Sequence, residues 1–135
     1  MAGYDWDHGK SNNAVIAEMD GLVVKSRITN GWLAANGIDE KAAFVKWLIK
    51  MGRISFSEWH HTSKFFNETP YYDASDIQDQ LERLRDMNLL DGYHRMYADK
   101  NLRERLDRYE VSLLVQLLRD LEKKGLKVSI ENIEN

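Results

Sequence analysis

Five glycines set the grain of this chain. Gly21, Gly37, Gly52, Gly92 and Gly125 each follow a stretch in which apolar residues recur at three- and four-residue intervals. An amphipathic helix closed by a residue that enters the left-handed region leaves that pattern. The punctuation predicts about five helices and leaves little chain for anything else. The expected fold class is therefore mainly α, in a single domain over residues 1–135. Residues 1–52 supply N-terminal helices, 53–73 an intervening segment, and 74–135 long C-terminal helices.

Capping signals place each helix. Ser11 opens a short helix over 12–20, with Val15, Ile16 and Met19 as its apolar positions. Leu22-Val23-Val24 reads either as a brief strand or as a buried connector. A second helix starts at Ser26 or Thr29 and ends at Asn36. The third covers 39–51 with Asp39 as N-cap, and Phe44, Val45, Trp47, Leu48 and Met51 form its broad apolar face. Asp73 caps the fourth, with Asp76 completing a partial capping box. Its stripe is Ile77, Leu81 and Leu84, flanked by Met87, and it ends near Gly92. Gly92 to Ala98 reads as a connector or as the lead-in to the last helix.

That last helix, about 99–124, is expected to be the longest. Glu104 with Arg108 and Asp120 with Lys124 stand acid-first, four residues apart, and support it. Leu102, Leu106, Tyr109 and Leu113 keep the spacing of a heptad seam, which then shifts to Leu117 and Leu121. Leu114 and Leu118 widen the apolar arc. The second half is thus expected to be buried on two sides, against the domain core and against a homodimer partner through the C-terminal helices; the alternative is that it is simply the central core helix.

Between the third and fourth helices, Arg53–Asp73 is unlike its flanks. It holds Phe56, Trp59, Phe65, Phe66, Tyr71 and Tyr72, the adjacent His60 and His61, and the chain's single proline, Pro70. Arg53 to Ser57 alternates apolar with polar residues, the period of a half-buried strand. Its partner is expected at Thr69–Tyr72 or at Val128–Ile130. A minor strand or hairpin around 53–72 would make the domain α+β.

Composition bounds the function classes. With 43% hydrophobic and 30% charged residues the chain has the balance of a globular protein. It has no cysteine, which excludes disulfides and thiolate chemistry. The net charge of −3 is evenly spread, so there is neither the basic excess of a dedicated nucleic-acid binder nor the acidic excess of a DNA mimic. No apolar run approaches the roughly 20 residues that span a bilayer. The N-terminus lacks the basic-then-apolar form of a secretory signal. A cytoplasmic protein without membrane partners is expected.

Chemistry has few footholds. Trp32-Leu33-Ala34-Ala35-Asn36-Gly37-Ile38 resembles the turn of a helix-turn-helix over 26–51. The early residues of its second helix would be Asp39, Glu40 and Lys41, whose carboxylates would meet phosphates. His60 and His61 have Glu68, Asp73, His94 and the Asp5-Asp7-His8 cluster as conceivable co-ligands. Adjacent residues on a strand face opposite ways, however, and a metal site needs three or more converging ligands. Thr62 and Ser63 stand beside the histidines, yet neither a GxSxG elbow nor a P-loop occurs. No catalytic residue, metal site or cofactor is expected. Tyr, Trp and His among adaptable hydroxyl and amide groups match the composition of interface hot spots. The candidate binding residues are Trp59, His60, His61, Thr62, Ser63, Lys64, Asn67, Tyr71 and Tyr72.

Two phrases carry a resemblance. Asp5-Trp6-Asp7-His8-Gly9-Lys10-Ser11-Asn12-Asn13-Ala14-Val15 is one, and Glu58-Trp59-His60-His61-Thr62-Ser63-Lys64 with Asn67, Tyr71, Tyr72 and Asp73 is the other. Together they resemble short proteins carried by bacteriophages and other bacterial mobile elements, over roughly residues 4–73. The resemblance implies a bacterial host cytoplasm and a partner that is a host protein or ribonucleoprotein complex. The expected function is non-catalytic binding that occludes a host macromolecule, a CRISPR-type defence factor among the candidates. The alternative is a DNA- or RNA-binding regulator using residues 26–51 or the aromatic segment.

Overall fold

The computed structural model describes residues 21–61 and 68–127. In chain order these form β1 (Val23–Val24), a 3-10 turn (Lys25–Arg27), α1 (Asn30–Ala35), α2 (Ala42–Lys50), β2 (Glu58–His61), β3 (Glu68–Tyr72), α3 (Ala74–Asp86), α4 (Leu90–Ala98), α5 (Lys100–Leu106) and α6 (Val111–Lys123). The chain is mainly α with a small antiparallel sheet. It gathers into two compact units, each assembled from two separated stretches: Met1–Ala42 with Ser55–Gln78, and Ala43–Ile54 with Asp79–Asn135. The helix expected over 12–20 lies outside the described residues.

In the first unit the strand order is β1-β3-β2. Val23 pairs with Tyr72 and Val24 with Tyr71, so the short apolar run is a strand. β2 pairs with β3 from Glu58 opposite Tyr71 to His61 opposite Glu68. Pro70 sits in the central strand, where its missing N–H would ordinarily break the ladder. β1 ends level with Tyr71, which leaves Pro70 without a partner on that side. Leu22, Tyr71 and Val24 pack together beside the sheet. Thr29, not Ser26, caps α1, its Oγ1 accepting the Trp32 N–H at 3.1 Å.

Ser57 ties the sheet to α3. Its N–H donates to the Tyr71 carbonyl at 2.8 Å and its Oγ accepts the Asp73 N–H at 3.0 Å. Asp73 in turn receives the Ile77 N–H on its carbonyl and the Asp76 N–H on its carboxylate. The expected cap is in place.

Other expectations shift, each for a physical reason. α2 begins at Ala42, so Asp39 lies ahead of the helix. The Ala42 N–H is taken by Asn30 Oδ1 at 2.7 Å, a cap supplied from twelve residues upstream. The strand expected from Arg53 begins instead at Glu58. Gly52, at φ +74°, closes α2, and the N–H groups of Arg53 and Ile54 both donate to the Leu48 carbonyl. Donors used in that helix stop are lost to a ladder.

The second unit is helical. Phe44, Val45, Trp47 and Leu48 of α2 are buried, with Met51 and Ile54 behind them. Leu81 and Leu84 of the α3 stripe are also buried, as is Ile77, which falls in the first unit. α3 stops at Asn88, not near Gly92: Asn88 has φ 60°, and the Leu89 N–H returns to the Leu84 carbonyl. Asparagine is the usual substitute for glycine there. Gly92 lies inside α4 for a different purpose. A Cβ at that position would stand 2.7 Å from Leu126 Cβ, so the glycine admits a close approach.

The long final helix is two helices. Asp99 caps α5 through the Leu102 N–H at 3.1 Å, and the chain turns over 107–110 before α6. Arg108 is therefore outside the helix that was to pair it with Glu104. Leu102 and Leu106 are buried, but Leu113 is 58% exposed, and α6 buries Leu114, Leu118 and Leu121 on one face. Each of those leucines contributes about 1.5–3 kcal/mol by burial. The seam shift seen in the sequence marks a break in the chain.

Candidate recognition surface

The β2–β3 hairpin positions the candidate residues. Two strand-forming runs, Glu58–His61 and Glu68–Tyr72, pair antiparallel because aromatic and β-branched residues suit a pleated surface. The register sets Trp59 opposite Pro70, His60 opposite Thr69, and His61 opposite Glu68. β2 is the outer strand, pairing only with β3 among the described residues. An outer strand presents a row of N–H and C=O groups that another chain can complete. Thr62, Ser63, Lys64 and Asn67, which connect the strands, lie outside the described residues.

Tyr71 and Tyr72 are in the interior, at 2% and 4% exposure, so they brace the hairpin and offer little to a partner. Burial pushes the Tyr72 phenol above its ordinary range. Ser57 spends its hydroxyl on the Asp73 N–H, and Asp73 spends its carboxylate on the Asp76 N–H. These two groups act in the fold. His94 belongs to the other unit, stacked on Phe44 with ring centroids 4.0 Å apart at 14°. No group of three His, Asp or Glu that could hold a metal ion occurs among the described residues.

The second unit holds a polar constellation that local spacing could not signal. Arg53 Nη1 lies 2.9 Å from Glu122 Oε2, and the Tyr93 hydroxyl donates to the same oxygen. The three residues stand far apart in sequence, in the turn after α2, on α4 and on α6. Burial, then the hydrogen bond and charge of Glu122, hold the Tyr93 phenol far above its ordinary value, with Arg53 pulling the other way. Around it Trp47 meets Tyr93 edge-on at 6.2 Å and Tyr97 at 5.4 Å. Arg103 lies over the Tyr97 ring at 4.6 Å and donates to the Tyr97 carbonyl. A phenol held protonated against a carboxylate that is already paired has the character of structural cement.

No family model matches the chain, nor does any curated protein or solved structure. Among the described residues no helix is long and apolar enough to cross a membrane.

Proposed function

We propose that this protein is a non-catalytic binding protein of the phage or mobile-element kind, which occludes a host macromolecule with its β2–β3 hairpin. The observation that supports this is the placement of Trp59, His60 and His61 consecutively on the outer strand of the sheet. A partner that adds a strand to β2 gains main-chain hydrogen bonds for affinity. The Trp-His-His sequence supplies aromatic residues of the kind that dominate interface energetics. A host protein or ribonucleoprotein is the partner class, a CRISPR-type defence complex the first to try, and the bacterial cytoplasm the place of action.

Reading nucleic acid through residues 26–51 has less behind it. α2 opens with Ala42 and Ala43, followed by buried Phe44 and Val45, so its first turn offers no base-reading side chain. The test is a pull-down from a bacterial host with the wild type, with Trp59→Ala/His60→Ala/His61→Ala, and with Glu104→Gln, in the other unit, as a control. A specific band that disappears only in the triple variant, with circular dichroism unchanged, is expected. A band retained by the triple variant moves the working surface elsewhere.

A further inference from the structure

A cavity in the second unit is furnished for an anion. It measures about 210 Å³ and is lined by one face of α3 and the residues just after it, Met87 and Leu89, together with Arg53 and Glu122. Gln80, Arg83, Leu84 and Met87 stand at helical spacings of three, four and seven, so a single stripe of α3 faces the space. Leu84 is buried and gives an apolar floor, and Met87 is largely exposed at the rim.

Charge selects the ligand. Glu122 is paired with Arg53 and held by the Tyr93 hydroxyl, so its negative charge is already compensated. Arg83 lines the same cavity and is exposed, and its side chain makes no ion pair or hydrogen bond with other described residues. The lining therefore carries one uncompensated positive charge. Arg53 adds an unmet need: its Nε–H is buried without an acceptor among the described residues. A guanidinium is planar and pairs bidentately with two oxygens of a carboxylate or a phosphate. We infer that this cavity binds a small organic monocarboxylate, its carboxylate on Arg83 with Arg53 drawn toward it and its short apolar tail on Leu84 and Met87. One net charge suits a monoanion better than a doubly charged phosphate, and the volume suits a ligand smaller than the usual drug-sized occupant.

The experiment uses the full chain, labelled with nitrogen-15, and follows its backbone amides while hexanoate is added. Saturable shifts confined to the amides near Gln80, Arg83, Leu84 and Met87 are expected. Arg83→Gln, at an exposed position that leaves the fold intact, should weaken hexanoate binding by at least about tenfold. Hexanamide and inorganic phosphate should produce no saturable shift at matched concentration. The inference is overturned if hexanoate gives no saturable shift, if hexanamide or phosphate binds as well, or if Arg83→Gln leaves the affinity unchanged.

Discussion

Replacing Tyr93 by Phe isolates one buried hydrogen bond. The ring is fully buried and keeps its edge contact with Trp47, so packing is conserved and only the hydroxyl is lost. The partner, Glu122, is not stranded, because Arg53 Nη1 remains 2.9 Å away. The cost should then sit at the low end for a hydrogen bond to a charged group, about 1.5–2 kcal/mol. With a urea slope of about 1.5 kcal/mol per molar, the unfolding midpoint at pH 7 should fall by about 1 M. Alkaline pH makes the test sharper. The folded phenol is pushed well above its ordinary value by burial and by Glu122, whereas in the unfolded chain it titrates near its ordinary pKa of about 10. Its contribution is therefore complete below about pH 10 and is lost as the pH rises above that, because only the unfolded chain releases the proton. By pH 11 the wild type should have lost about 1.4 kcal/mol that Tyr93→Phe never had. All other groups are common to the two proteins and cancel in the difference. Urea melts of the two proteins at pH 7, 9 and 11 measure the gap, which should narrow to a few tenths of a kcal/mol. Equal midpoints at pH 7, or a gap that does not narrow by pH 11, would refute the reasoning.

Further substitutions test the helix stops, caps and clasps. Gly92→Ala should gain about 1 kcal/mol of helix propensity. Its Cβ meets Leu126 Cβ at 2.7 Å and Cδ1 at 2.9 Å, however, an overpacking cost of about 1–3 kcal/mol, and the net effect should be a loss of up to about 2 kcal/mol. A thermal melt lowered by up to about 8 °C would show this, and a raised one would contradict the close approach. Asp99→Ala should cost about 1 kcal/mol by removing the acceptor of the Leu102 N–H. Asp39→Ala, ahead of its helix, should stay within about 0.5 kcal/mol of wild type in the same urea assay. Ser57→Ala strips the acceptor from the part-buried Asp73 N–H, for a loss of about 1–2 kcal/mol by urea titration.

Much of this fold was written in short stretches of sequence. Thr29, Asp73 and Asp99 each accept the N–H three residues on, a bond contained within one turn of chain. The apolar stripes of α2 and α3 are buried as their spacing required, since a helix fixes which residues share a face before it meets anything. Thr69–Tyr72 was legible as a strand from its composition. The hairpin could be anticipated, but its first strand begins at Glu58, five residues beyond Arg53. The helix stop after α2 claimed the Arg53 and Ile54 N–H groups, and alternation alone cannot see that competition.

What needed the tertiary structure shares one property: the deciding partner is remote in sequence. Gly92 looks like Gly52 in its local setting, yet one ends a helix and the other makes room for Leu126. Whether glycine serves conformation or clearance depends on what packs against it. The cap on Ala42 comes from Asn30, and the pair formed by Arg53 and Glu122 joins residues 69 positions apart. The break between α5 and α6 showed in the sequence only as a shifted seam. Tyr71 and Tyr72 carried the composition of a binding surface and were drawn into the interior, one packing with Leu22 and Val24. Sequence set periodicity, caps and composition because those act within a few residues. Packing chose which glycine yields, which tyrosine is covered and which charges meet, because burial is decided only when distant segments arrive together.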